Sequence, residues 1–301
     1  MRKTILSVAV AFVVAATGLV VLSSSSGAAV GDVPDDCAVA TAAYRSDGQR
    51  LGYRYERNHD SPAQVLAIEG DRLPWVPTSV TLGNRWGGGG DSFNRLEFAV
   101  HPSDGYVYEL DRAAERGDDH VWRMTKNTAK RLTGGFAGTR IIAYAYPYLY
   151  QVKGTALYRY TLTSEGLTSR VKMPGTAWDT VKTLVYERAG GTDAVPVHVL
   201  IGTKANGELK EWRIKATIAP PTSIPSSVLR STGWGSFTSV STGVCETHLS
   251  GRALLGIAAT GSVSVYFDAN AKDWDGTDIK GGSLGDLDWT AKAYGQTGAG
   301  M

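Results

Sequence analysis

Gly281-Gly282-Ser283-Leu284-Gly285 has the GxSxG spacing of a hydrolase nucleophile. That chemistry needs a strand-to-helix elbow above an α/β sheet. Here the motif follows Asp278-Ile279-Lys280 and precedes Trp289 in strand-rich sequence, so the match is coincidental. The five histidines, at 59, 101, 120, 198 and 248, lack metal-ligand spacing such as HExxH. Asp273, Asp275 and Asp278, in the acidic stretch 268–278 around Gly276, offer the carboxylates of a calcium loop. Their spacing departs from DxDxDGxxD and no Glu follows at the right distance; a solvated acidic loop is the competing reading. Calcium is the one cofactor these residues suggest; otherwise none is expected. The acidic residues fall mostly in polar turns, such as Asp118-Asp119, Asp268, Asp286 and Asp288. No catalytic constellation emerges.

The tryptophans offer different chemistry, because indole faces stack on sugar rings. They divide by the repeat that organises the chain. Tyr148–Leu162 reads as two aromatic and β-branched runs around Gly154, a hairpin. The same design occurs at Cys37–Glu56, Leu96–Asp111, His198–Ile214 and Ala253–Asp268. The turn glycines Gly48, Gly105, Gly154, Gly207 and Gly261 stand 57, 49, 53 and 54 residues apart. A period near fifty residues, all strand and turn, predicts an all-β chain folded as a five-bladed β-propeller.

A second element alternates with the hairpins: an aromatic followed by a short strand, at Trp86, Phe136, Trp178, Trp234 and Trp289. The chain thus opens on a hairpin and closes on an aromatic strand. Pairing of Trp289–Gln296 with the sheet beginning at Cys37 would complete one blade from both termini and close the ring. Trp86, Trp178, Trp234 and Trp289 follow the repeat and read as packing between units. Trp75, Trp122 and Trp274 fall off it and are the candidate ligand-binding aromatics. Asp111–Arg116 is a weak helical candidate, and Pro220, Pro221 and Pro225 place 218–232 at an edge or in a loop.

The chain begins MRK, runs without charge from Thr4 to Leu22 and continues into small residues ending at Ala28-Ala29. This reads as a secretory signal over 1–29, followed by a flexible leader over 30–36 and the repeat domain over 37–301. A retained membrane anchor is the alternative. Without Arg2 and Lys3 the chain carries 29 basic and 29 acidic residues. No basic run remains, which argues against nucleic acid as a partner. Export favours a disulfide between Cys37 and Cys245, which would join the first and last units of a ring. A secreted, extracellular monomer, free of the membrane once the signal is cleaved, is expected.

Gly233-Trp234-Gly235-Ser236-Phe237 is similar to the GWxxF element of tachylectin-type propellers, and Tyr148–Arg159 resembles their LYAV…GxLYR hairpin. Phe93–Phe98 with Pro102 and Gly105 looks like the segment between them. Of the family's PPT and DxW elements, the chain keeps fragments at Pro220-Pro221-Thr222 and Ala177-Trp178-Asp179. The resemblance spans 37 to the end, and it implies a secreted lectin with N-acetyl-sugar sites repeated around the ring. The function expected is non-catalytic binding of an extracellular glycan or polysaccharide. A propeller glycoside hydrolase, whose carboxylates need only meet in space, and an extracellular protein-interaction scaffold are the alternatives.

Overall fold

A computed structural model describes residues 30–56, 63–287 and 292–294. Among the described residues the chain is all-β apart from two single-turn 3-10 helices, Val30–Asp32 and Trp178–Thr180. β1 (Cys37–Tyr44), β2 (Gln49–Glu56) and β3 (Ala63–Arg72) pair antiparallel in order. A meander of β4 (Ser79–Gly89), β5 (Ser92–Val100), β6 (Tyr106–Arg116) and β7 (Trp122–Gly134) follows. The next comprises β8 (Thr139–Ala145), β9 (Tyr148–Lys153), β10 (Ala156–Thr163) and β11 (Gly166–Lys172). Then come β12 (Val185–Thr192), β13 (Val195–Thr203), β14 (Leu209–Lys215) and β15 (Ser226–Arg230). The last comprises β16 (Phe237–Cys245), β17 (Arg252–Ala258), β18 (Ser262–Asp268) and β19 (Lys280–Asp286). Finally β20 (Lys292–Tyr294) returns to β1, with Ala42 opposite Tyr294.

All the hairpins read from the sequence are present, because each turn glycine supplies a positive φ that other residues resist: 81° at Gly48, 73° at Gly105, 55° at Gly154, 92° at Gly207 and 93° at Gly261. Each sits between the second and third strands of its meander, counting β20 as first strand before β1. Four of these glycines serve a further purpose. Their carbonyls accept the amide of the residue that leads on from the unit's last strand: Gly48 from Leu73, Gly105 from Phe136, Gly207 from Trp234 and Gly261 from Leu287. The turn therefore fixes where the next unit starts. At Gly48 the approach is so close that a Cβ would overlap the Leu73 carbonyl.

The first strands touch in a cycle: β4 meets β8, β8 meets β12, β12 meets β16, β16 meets β20, and β20 meets β4. Radial four-stranded meanders around a common axis make a β-propeller. Two small bridges, Cys37–Ala38 against Val244–Cys245 and Glu69 beside Arg123, merge the first, second and last meanders into one 12-stranded sheet. The disulfide Cys37–Cys245 lies at the former.

Apolar clusters fill the junctions between units. One joins β1, β2, β17 and β18, including Val39, Tyr53, Leu255 and Val265; another joins the β8–β11 and β12–β15 meanders around Tyr150, Trp178, Leu200 and Trp212. Two junctions also bury charge. Between the first two units, Arg50 on β2 donates to Glu97 on β5, while Asp71 on β3 binds Arg95 on β5 at 2.8 Å and also Arg112 on β6. Between the β12–β15 and β16–β19 units, Arg252 on β17 binds Glu187, Glu211 and Asp268.

Several expectations need correction. Residues 30–36 are not a flexible leader: Val30–Asp32 form a helical turn, Val33 is fully buried against the first apolar cluster, and Asp36 accepts from Thr247 and His248. Asp111–Arg116 is not helical but the end of β6, held by β5 and β7 on either side. Trp86 does not open a unit. It lies within the β4–β5 hairpin opposite Arg95, and Trp75, four residues before β4, takes the place the repeat assigned to it. Of the predicted closing segment, Lys292–Tyr294 pairs with β1; Trp289 and the proposed signal at 1–29 lie outside the described residues. No helix among the described residues is long and apolar enough to cross a membrane.

Candidate ligand-binding site

Each of four units places an aromatic from its entry segment against an aromatic on its third strand. The pairs are Trp75 with Tyr108 at 5.2 Å between ring centroids, Phe136 with Tyr160 at 5.1 Å, Trp178 with Trp212 at 5.5 Å, and Trp234 with Tyr266 at 4.7 Å. The entry aromatic seals the junction with the preceding unit, and the third-strand aromatic completes the contact. Two of the pairs border open cavities.

The larger cavity, about 370 Å³, lies over Trp178 and Trp212, whose indoles are buried and form its floor. Its walls come from Pro174–Ala177 before the helical turn, from Lys204 and Lys210 on either side of the Gly207 turn, and from Thr222–Ile224 in the loop before β15. The loop conformation has a physical cause. The prolines at 220, 221 and 225 withhold backbone donors, so the strand pairs only from Ser226 onward, and Thr222 and Ser223 stay exposed at the rim. Opposite them Gly175 adopts φ 97° and Ala177 φ 61°. A Cβ on Gly175 would stand 3.3 Å from the Trp178 indole nitrogen. That nitrogen is buried and has no acceptor among the described residues.

Lys204 is paired with Glu208 at 3.1 Å, and this ammonium holds the Glu208 carboxyl below its ordinary range. The Lys210 ammonium lies 6.0 Å from the Trp212 ring centroid and forms no ion pair among the described residues. Among the described residues no carboxylate lines the cavity. A floor of indole, a rim of hydroxyls and a free ammonium suit a ring-shaped, hydroxylated ligand: apolar faces stack and polar edges bond.

The second cavity, about 320 Å³, repeats this plan one unit on. It is bordered by Arg230–Trp234, Tyr266 and Ile279. Trp212 and Tyr266 each stand five residues after their turn glycine. Trp212 pairs with Ser226 and Tyr266 with Gly281, so Ile224 and Ile279 occupy corresponding places two residues earlier. A third, small cavity of about 90 Å³ draws its lining from the first strand of every unit or the segment entering it: Ser79, Ile142, Leu184, Thr238 and Tyr294.

The aromatics proposed from sequence are not brought together. Trp75 is half-buried against His101 and Tyr108, within the repeat. Trp122 rests on Phe93 at 5.6 Å at the far end of the second unit. Trp274, in the loop before β19, lies beneath the Arg213 guanidinium at 3.9 Å. The Asp273 and Asp275 carboxylates accept from the backbone amides of Asp275 and Thr277, and the same turn holds the Asp275 pKa down. One Asp278 oxygen is buried without a partner, and among the described residues no three His, Cys, Asp or Glu side chains converge as metal ligands. The Ser283 of the GxSxG match lies on β19, not at an elbow. Trp212 and Lys210 were missed. Alignment of the hairpins on their glycines would have exposed the former, since Trp212 and Tyr266 then coincide.

No family model matches the chain, and no curated protein matches it in sequence. Among solved structures it is similar to the WD40 domain of SCAP from fission yeast, at 10% identity and TM-score 0.33, over 82% of this chain and 61% of that one. It is also similar to leech intramolecular trans-sialidase complexed with 2,7-anhydro-Neu5Ac, at 12% identity and TM-score 0.35, over 82% of this chain and 36% of that one. The chain thus spans less than two thirds of either. At these TM-scores neither likeness bears on blade count or function.

Proposed function

We propose that the chain is a secreted five-bladed propeller, closed by β20 beside β1, that binds carbohydrate without catalysis. The cycle of first-strand contacts and the small axial cavity support the closed ring. The Cys37–Cys245 disulfide is compatible with export. The binding reading is carried by one observation: the cavity over Trp178 and Trp212 gathers Ala177, Trp178 and Thr222, which belong to the two tachylectin-like fragments, around one aromatic floor. Its counterpart at Trp234 and Tyr266 supports repeated sites and hence avidity.

A glycoside hydrolase would need two carboxylates facing one open cavity. The two aromatic-floored cavities have none in their lining, and Glu187, which borders a 160 Å³ cavity near Leu249, is bound by Arg252 and Arg188. Exposed large apolar residues such as Tyr146, Ile218 and Leu249 belong to separate loops, which disfavours a broad protein-docking face.

The test is retention of the full chain on chitin, cellulose and mucin beads, with elution by free N-acetyl sugar and a parallel arm in EDTA. Ser223→Trp, at an exposed rim position, fills the larger cavity and leaves the core intact. Retention that Ser223→Trp weakens without lowering the melting temperature supports the reading. Absence of retention on every matrix, or retention indifferent to Ser223→Trp, refutes it.

A further inference from the structure

Both aromatic-floored cavities present cations and no carboxylate. At the larger, Lys210 lies 6.0 Å from the Trp212 ring centroid and makes no ion pair among the described residues, while Glu208, within Coulombic reach of Lys210, is paired with Lys204. At the smaller, Arg230 lines the wall, bonding the Ile279 carbonyl through one nitrogen, with the Asp275 carboxylate within Coulombic reach. The repeat domain over 37–301 carries 29 basic and 26 acidic residues, so two corresponding cavities that are each lined by a cation and, among the described residues, by no carboxylate stand apart from its mixed surface.

The geometry points to a saccharide bearing an anionic group, a carboxylate or a sulfate, as the ligand of the Trp178–Trp212 cavity, with Lys210 as its counter-ion. This rests on the carbohydrate-binding reading and adds the charge of the ligand. The ring stacks over the indole floor, and the hydroxyls of Thr176, Thr222, Ser223 and Ser226 face its polar edge. The anionic substituent pairs with the Lys210 ammonium in a charge-assisted hydrogen bond. A neutral sugar would fill the same space but offer the ammonium no ion pair.

The experiment compares matched oligosaccharides by tryptophan fluorescence titration of the full chain: a neutral glucan oligomer, the same oligomer oxidised to glucuronate, and the same oligomer sulfated. Binding of one or both acidic forms about tenfold or more tighter than the neutral one is expected, and the arm that binds identifies carboxylate or sulfate as the group. That advantage should shrink between 50 mM and 500 mM salt. Lys210→Gln should reduce it at least fivefold, and Lys210→Arg should restore it, which separates loss of charge from loss of packing. Equal binding of all three oligomers with sensitivity to Ser223→Trp would overturn the charge assignment and leave the lectin reading standing. Absence of binding to any oligomer, together with absence of retention on the beads, would overturn both.

Discussion

Glu97 is fully buried at the junction of the first two units, and its replacement by Gln tests whether that junction is held electrostatically. Arg50 donates from two nitrogens, at 3.1 and 2.7 Å, and the Tyr44 hydroxyl donates at 3.3 Å. Burial by itself would raise the Glu97 pKa, but the charges of Arg50, Arg95 and Arg112 outweigh it and hold the carboxyl well below the usual range. Glu97→Gln keeps the shape and one acceptor for Arg50 while removing the charge that balances these guanidinium groups. Breaking a buried pair from one side costs about 3–5 kcal/mol, and the retained acceptor favours the lower end, about 3 kcal/mol. With an unfolding entropy of about 2.1 cal/mol/K per residue, or roughly 0.55 kcal/mol/K for this domain, the melting temperature should fall by about 5 °C at pH 7. A carboxyl whose folded pKa lies below its unfolded value of about 4.3 contributes stability above that pH and loses it as the pH falls. The gap between parent and variant should therefore close progressively below about pH 4. Thermal unfolding followed by circular dichroism at pH 7, 5, 4 and 3 reads both effects. A gap under 2 °C at pH 7, or one that stays constant down to pH 3, would refute the electrostatic account.

Further outcomes follow from the same geometry. His198, buried among Tyr148, Tyr150 and Tyr186, has its pKa lowered to about 4 chiefly by burial. Unfolding then takes up a proton below pH 6.5, so the protein should lose up to about 3 kcal/mol between pH 6.5 and 4. Denaturant midpoints across that window should flatten in His198→Gln once its own offset at pH 7 is subtracted; an unchanged slope would contradict the assignment. Replacing both cysteines with serine opens a loop of 208 residues, worth about 5 kcal/mol on the chain-entropy model, and denaturant unfolding should show a loss of that order. Gly48→Ala combines a φ of 81° with overlap on the Leu73 carbonyl, and should cost more than about 2 kcal/mol in the same assay, whereas Gly154→Ala, with open space around it, should cost about 1.

The sequence carried the local elements well. Alternating strands around turn glycines are short-range features, and hairpins such as Cys37–Glu56 and Tyr148–Leu162 form where the pattern places them. The pairing of Cys37 with Cys245 was legible because a chain with only two cysteines leaves each a single intramolecular partner. The unit boundaries were less so. Spacing alone reads Trp86 as an entry aromatic, although the boundary is set by the turn-glycine carbonyl accepting the amide of Leu73, and a backbone bond leaves no mark on residue type.

Only the tertiary structure decided the site and the charged junctions. Trp178 and Trp212 are 34 residues apart and Thr222 lies further on, so a cavity made from all three exists only once the third strand folds back beside the entry segment. Arg50 and Glu97 are 47 residues apart, Glu187 and Arg252 are 65, and each looks like an ordinary solvent-facing charge in its own strand. Neighbouring sheets packed face to face bury them, and burial makes their pairing mandatory. Periodicity along the chain specifies which face of a strand a residue occupies. What that face meets depends on the neighbouring units.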